Sequence, residues 1–282
     1  MAERATWLSD LGLTARAGRD PALSGITADS RAVRAGMLFA ALPGSATHGA
    51  KFIPVALEQG AVAILTDATG AKLAADVLAD SEVALVVAED PRAALACAAA
   101  LWFGAQPETM VAVTGTNGKT SVATFTRQIW AALGHEAINI GTTGIEGAWS
   151  APSSHTTPDA ITLQKLLAAA AQDGVTHAAM EASSHGLDQR RLDGVRLVAG
   201  GFTNLTQDHL DYHGTMAAYF DAKAQLFTRL LPEDGVAVVN LDGAMGTEVA
   251  ELALGRGLRV LTVGKGQGAD LQIAATRPDA TG

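Results

Sequence analysis

Cysteine is nearly absent from this 282-residue sequence. Cys97 stands alone, and a lone cysteine closes no internal disulfide. A disulfide scaffold is therefore excluded, and a reducing, cytoplasmic compartment is expected. Charge is also sparse, at 17% of residues, with 29 acidic side chains against 20 basic ones and a net charge of −9. That negative balance argues against nucleic acid or an anionic membrane surface as a partner. Long apolar runs are missing too. The longest, residues 93–103, is too short and too rich in alanine to span a bilayer. Glu3, Arg4 and Asp10 interrupt the N-terminus, which lacks the unbroken apolar core of a signal peptide. No fixed-period repeat or low-complexity tract appears.

What is present is an apolar fraction of 48% and 30 glycines, a mix that suits an α/β protein with many tight turns. At ~150 residues per domain the length suggests two domains. Up to residue 89 the strand-like segments are short (38–42, 61–66 and 83–87), punctuated by glycine and proline. Asp90 before Pro91 is the order of a helix cap followed by a first-turn proline, so a helix is expected over 91–102. The domain boundary is placed there, giving domains 1–89 and 90–282. In the second region strands (110–114, 137–140, 177–181, 197–203, 236–240, 259–263) alternate with helices (119–133, 157–172, 216–231, 244–254). A final strand-like stretch covers 271–274, before a polar tail over 276–282. This rhythm predicts a mostly parallel sheet covered by helices, with the ligand at the carboxyl ends of the strands.

Four stretches could carry chemistry. Thr114, Gly115, Thr116, Asn117, Gly118, Lys119 and Thr120 run from a strand into a helix. Glycines there let backbone N–H groups converge on an anion, Lys119 would reach terminal phosphates, and the Thr120 hydroxyl would face Mg²⁺. The loop is shorter than the general phosphate-loop pattern, because Val113 stands where that pattern has glycine. A plain glycine-rich turn is the alternative. Glu181 ends another strand on the same edge, where a carboxylate suits Mg²⁺, or is simply a surface strand end. Ser183 and Ser184 follow it, to touch substrate or to cap a turn. His209 and His213 lie in a polar stretch after a third strand. Their spacing resembles a zinc pattern, but with a phosphate loop and no cysteine nearby magnesium is the better match. A hydrogen-bonded core histidine is the alternative. Lys223 shares an apolar helix face with Tyr219, Leu226 and Leu230. On sequence alone it is expected to snorkel outward. Held inside, it would lose its charge, and a neutral amine can add carbon dioxide to give a carbamate, an oxygen ligand for a cation.

Taken in order, Thr-Gly-Thr-Asn-Gly-Lys-Thr, Thr-Thr-Pro-Asp, Glu-Ala-Ser-Ser-His-Gly-Leu and Thr-Asn-Leu-Thr-Gln-Asp-His-Leu-Asp-Tyr-His-Gly resemble the Mur ligases. The last two strings favour the branch that adds the third amino acid of the peptidoglycan stem. In the first region, Ala28-Asp-Ser-Arg31 and Gly36-Met-Leu-Phe39 match the family's uridine-binding domain. The resemblance implies a small α/β UDP-sugar-binding domain followed by a phosphate-loop ATPase-like central domain, with ATP and Mg²⁺ as cofactors. Its substrates would be UDP-N-acetylmuramoyl-L-Ala-D-Glu and an amino acid, with meso-diaminopimelate expected from family frequency.

The same resemblance implies that Ser30 and the loop Ser45, Ala46 and Thr47 hold the UDP-sugar. Residues Thr114 to Thr120 would hold ATP, and Thr156, Thr157, Ser183, Gln189 and Arg191 the muramoyl dipeptide. Lys119, Glu181, His209 and Lys223 would be catalytic. Thr120, Glu181, His209 and carbamylated Lys223 would serve the metal, which reverses the sequence-only preference at Lys223. Catalysis would run through an acyl phosphate in a monomer. The family's third domain has no counterpart in these residues, so a truncated chain, inactive alone, is expected. The alternatives are a lysine-adding or other Mur-type ligase, a fragment that only binds substrate, and an unrelated phosphate-loop NTPase.

Overall fold

The computed structural model describes residues 5–44, 47–153 and 155–275, and contacts divide the chain into two units, Met1–Ala105 with Ala160–Leu166 and Gln106–Asp159 with Leu167–Gly282. In the first unit a two-residue antiparallel pair, β1 (Thr6–Trp7) and β2 (Ala22–Leu23), precedes four parallel strands. These are β3 (Gly25–Thr27), β4 (Met37–Ala40), β5 (Ala63–Thr66) and β6 (Ala84–Val87), paired in chain order. Successive side chains point to opposite faces of a strand. Leu38, Ala63, Leu65, Ala84 and Val86 accordingly fill one core, while Phe39 and Ile64 fill another. Burial on both faces is what a parallel sheet requires, and it explains the near-continuous apolar runs.

Helices α1 (Ile53–Glu58), α2 (Ala68–Leu73) and α3 (Ala75–Ala79) connect these strands, and α4 (Pro91–Phe103) follows them. The Asp90 carboxylate accepts hydrogen bonds from the backbone N–H groups of Arg92 and Ala93, at 3.2 and 3.0 Å, with Pro91 in the first turn. Leu95, Ala98 and Ala99 of α4 pack into the first unit's core. The helix at which the sequence places the domain boundary thus lies inside the first unit.

The second unit holds an eight-stranded sheet: β7 (Thr109–Thr114), β8 (Ala137–Gly141), β9 (Gly144–Gly147), β10 (His177–Glu181), β11 (Leu197–Phe202), β12 (Val236–Asn240), β13 (Arg259–Gly264) and β14 (Leu271–Gln272). Its spatial order is β14-β13-β12-β11-β7-β10-β8-β9, and only the β8–β9 pair is antiparallel. β7 lies between β10 and β11, so the carboxyl ends of three strands adjoin. Helices α5 (Lys119–Ala132), α6 (Ala160–Gln172), α7 (Ser184–Asp188), α8 (Leu210–His213), α9 (Met216–Gln225) and α10 (Gly246–Gly255) connect them.

Two helices differ from expectation. α6 starts at Ala160 rather than at residue 157, because Thr157 is anchored to the end of β10 and proline disfavours helical backbone in the residue before it. α9 does not continue regularly to residue 231: after Gln225 the chain widens into a π-helical turn, Leu226–Leu230. Among the described residues no helix is long and apolar enough to cross a membrane.

Candidate active site

The end of β7 and the start of α5 make a tight cradle. Gly115 has φ 141° and Gly118 φ 85°, backbone values that favour glycine. A side chain at Gly115 has no room, since a Cβ there would sit 1.9 Å from Thr203 Oγ1. The segment after β11 grips this loop. Thr203 Oγ1 donates to the Asn117 carbonyl (2.6 Å), Asn117 N–H donates to Asn204 Oδ1 (3.1 Å), and Thr116 N–H donates to the Asn204 carbonyl (2.9 Å). Thr206 N–H donates to Thr116 Oγ1 at 2.9 Å. The Thr114 hydroxyl is buried without a hydrogen-bond partner.

Two lysines meet over the loop. Lys119 Nζ donates to the carbonyls of Gly115 (3.0 Å) and Thr116 (2.8 Å). Lys223 Nζ, coming from α9, donates to the same Gly115 carbonyl at 2.7 Å and lies 4.5 Å from the centre of the Tyr219 ring. Lys223 is only 1% exposed, so the snorkelling expected from sequence alone does not occur. Burial, reinforced by the charge of Lys119, pulls its pKa from 10.5 down to about 7. Burial also lowers the pKa of Lys119, against the opposing pull of Glu181 and Asp208.

Glu181 is the buried carboxylate of the site, 1% exposed at the end of β10. Its Oε1 accepts from Thr120 Oγ1 and from the backbone N–H of Thr142, both at 2.9 Å. Gly141 makes room for it, since a Cβ there would come within 2.0 Å of that oxygen. Thr120 and Glu181 are therefore adjacent hard oxygen donors beside a phosphate cradle, a donor set that fits Mg²⁺. Among the described residues no group of three or more His, Cys, Asp or Glu side chains gathers as a metal cluster. Mg²⁺ commonly takes one or two protein ligands, the rest being water and substrate phosphate.

His209 is exposed on the same edge, with a left-handed backbone (φ 51°) just before α8. Its ring lies 6.2 Å from that of Tyr219 and 4.9 Å from that of His185. His213 packs 5.2 Å from Tyr219, and its Nε2 is buried without a hydrogen-bond partner. Tyr219 shares a hydrogen bond with Thr116 Oγ1 at 3.2 Å, which ties this aromatic group to the loop.

The residues expected to grip the dipeptide lie in the same unit. Thr157 Oγ1 donates to the Glu181 carbonyl (2.9 Å) and accepts from Ser183 N–H (3.0 Å). Ser183 caps α7 by accepting from Gly186 N–H at 3.0 Å. Thr156 Oγ1 lies 3.1 Å from Thr142 Oγ1, and Arg191 donates to the Thr157 carbonyl and the Gln189 side chain. In the first unit, Ser30 opens a 3-10 turn capped by Asp29. Thr47 has a buried hydroxyl without a partner, while Ser45 and Ala46 lie outside the described residues. Sequence reasoning missed Thr142, Asn204, His185 and Tyr212. Position alone could have flagged Thr142, which directly follows a strand end on the ligand edge.

Residues 113–282 match the family described as Mur ligase middle domain, and residues 22–102 match the one described as Mur ligase family, catalytic domain. The UDP-N-acetylmuramoyl-L-alanyl-D-glutamate--2,6-diaminopimelate ligase of Brucella melitensis biotype 1 is 54% identical over 244 residues, covering 86% of this chain and 49% of its own length. The protein of the same name from Bradyrhizobium diazoefficiens is 51% identical over 258 residues, covering 90% and 51%. A solved structure of a ligase so named is 31% identical with a TM-score of 0.78, covering 95% of this chain and 54% of the other. The chain spans about half the length of the curated relatives it matches.

Proposed function

Because this chain belongs to the Mur ligase family, we propose that the protein is an ATP-dependent amide ligase of peptidoglycan precursor synthesis, joining UDP-N-acetylmuramoyl-L-alanyl-D-glutamate to meso-diaminopimelate. One observation carries this reading: Lys119 and Lys223 share the Gly115 carbonyl while Thr120 contacts Glu181, all at the carboxyl ends of adjoining strands. The relatives named above support diaminopimelate over lysine as the added amino acid. With the activity go a cytoplasmic location and a monomeric enzyme.

A carboxylate is a poor electrophile, so it must be activated before an amine can attack it. A D-Glu carboxylate oxygen bonds to the γ-phosphorus of ATP, and the bond to ADP breaks. The amine nitrogen then attacks the acyl-phosphate carbonyl carbon, loses a proton, and expels phosphate. In the first half-reaction two anions must approach each other. The loop amides, the N-terminus of α5 and the Lys119 ammonium offset that repulsion, as preorganised positive groups do for a phosphoryl transition state. Two Mg²⁺ ions, shared among Thr120, Glu181, His209 and, for the second ion, a carbamate on Lys223, would draw charge from the phosphate oxygens. Burial leaves a substantial neutral fraction of the Lys223 amine near neutral pH, which carbamate formation requires. Arg191, braced by Thr157 and Gln189, suits a substrate anion, with Thr156, Thr157 and Ser183 lining the same strand ends. Ser30 and the loop at Ser45, Ala46 and Thr47 are assigned to the uridine end, within a domain spanning 1–89 ahead of the ATP-binding domain over 90–282.

The test is the substrate dependence of ATP cleavage by the full-length protein. ADP release should require both the UDP-muramoyl dipeptide and diaminopimelate, with lysine or D-Ala-D-Ala a poor replacement. ATP cleavage at full rate without the dipeptide would defeat the assignment.

A further inference from the structure

The polar chain that braces Arg191 does not end at Gln189. Arg191 Nη1 donates to the Thr157 carbonyl at 2.6 Å, and its Nε and Nη2 donate to Gln189 Oε1 at 3.3 and 2.8 Å. Gln189 Nε2 donates to Tyr212 Oη at 3.1 Å, and Tyr212 Oη donates to Asp188 Oδ2 at 2.7 Å. The direction of donation along this chain is set at its far end. An ionised carboxylate only accepts, so the Tyr212 hydrogen points at Asp188 and its lone pairs face Gln189. Only the amide NH₂ can meet those lone pairs, which turns the amide oxygen toward the guanidinium. The His185 ring, 4.2 Å from the Tyr212 ring, packs against the phenol.

We propose that Tyr212 is a positioning residue: its hydroxyl orients the Gln189 amide, and that amide holds the Arg191 guanidinium in the plane in which it receives the acidic peptide end of the substrate. The assignment of Arg191 to a substrate anion comes from the ligase reading above, on which the role of Tyr212 therefore rests. The two halves of an amide are nearly the same size. The guanidinium, which only donates, selects the amide oxygen at one end and the phenolic oxygen selects the NH₂ at the other, so loss of the phenol leaves the amide anchored at one end only. Gln189 and Arg191 follow β10, whereas Tyr212 lies in α8 after β11, so the hydroxyl also couples two segments of the site. The phosphate loop is held by Thr203, Asn204 and Thr206, and Tyr212→Phe keeps the ring that packs on His185 and His213, so removing the hydroxyl alone should leave ATP binding in place.

The experiment is steady-state kinetics of Tyr212→Phe in the full-length protein, which removes one oxygen from a residue 41% exposed. The KM for UDP-muramoyl dipeptide should rise about five- to tenfold, the effect of one lost hydrogen bond. By the same reasoning kcat and the KM for ATP should stay within about twofold. In a Gln189→Leu background the same substitution should add less than about twofold, because the residue it acts through is gone. An unchanged dipeptide KM overturns the proposal. So does a parallel rise in the ATP KM, which would mark Tyr212 as general scaffolding, or an undiminished effect in the Gln189→Leu background. Wild-type protein that cleaves ATP regardless of the dipeptide refutes the ligase reading first, and the role of Tyr212 with it.

Discussion

Replacing Lys223 by methionine should make the protein more stable and less active, and the gain in stability should depend on pH. The amine is 1% exposed, and its pKa falls from 10.5 to about 7, first through burial and then through the charge of Lys119. A fall of that size corresponds to about 5 kcal/mol of preference for the neutral form. Below about pH 7 the amine is charged in both folded and unfolded chains, and the folded state bears the whole cost. Between about 7 and 10.5 only the unfolded chain is protonated, so wild-type stability climbs with pH. Above that range both states are neutral and the cost is gone. Methionine keeps the length of the side chain without the charge, and the Gly115 carbonyl retains Lys119 as a donor, so no polar group is orphaned. In urea denaturation at about pH 6.5, without Mg²⁺ and carbon dioxide so that the amine stays free, Lys223→Met should exceed wild type by about 2–5 kcal/mol, a margin shrinking by about 1.4 kcal/mol per pH unit between about pH 7 and 10. Turnover should fall sharply at every pH. A margin that ignores pH, or a variant less stable than wild type at the acid end, would refute the reading of Lys223 as a buried amine whose charge folding disfavours.

Lys119→Ala should leave the melting temperature close to wild type while slowing turnover by about 10²–10³-fold, the loss expected for one preorganised charge at a reacting phosphate. A normal rate would remove Lys119 from the chemistry. Gly141→Ala places a methyl group 2.0 Å from Glu181 Oε1 and must push the carboxylate away from Thr120. The Mg²⁺ concentration giving half-maximal rate should then rise by about tenfold or more, as happens when a ligand's support is lost. An unchanged Mg²⁺ requirement would show that Glu181 does not hold the ion.

The parts of this fold that could be read in the sequence are those where a strand runs straight into chemistry. β7, the phosphate loop and α5 announce themselves because glycine, lysine and threonine punctuate an apolar run followed by a helical period. β10 and β12 match their expected bounds because each is a nearly continuous apolar string, buried along most of β10 and on alternate residues of β12. β1, β2 and β9 were not legible. They are two to four residues long, and β9 is bounded by Gly144 and Gly147, which weaken any periodic signal. The short helices α7 and α8 lack a full period as well. Within the site, the side chains proposed to ligate or to carry charge were visible one by one. The partners that orient them were not, because Asn204 meets Asn117 and Tyr212 meets Gln189 only after the sheet has folded. Lys223 shows the limit from the other side. Its apolar helix face was visible, but nothing local says that Gly115, far earlier in the chain, will supply the carbonyl that keeps the amine inside.

The converging strand ends are proposed to activate a substrate carboxylate with ATP. Isotope transfer tests it most directly: UDP-muramoyl dipeptide carrying ¹⁸O in the D-Glu carboxylate is turned over with ATP and diaminopimelate, and the released phosphate is weighed by mass spectrometry. One carboxylate oxygen is expected in each phosphate formed, and unlabelled phosphate would rule out an acyl-phosphate route.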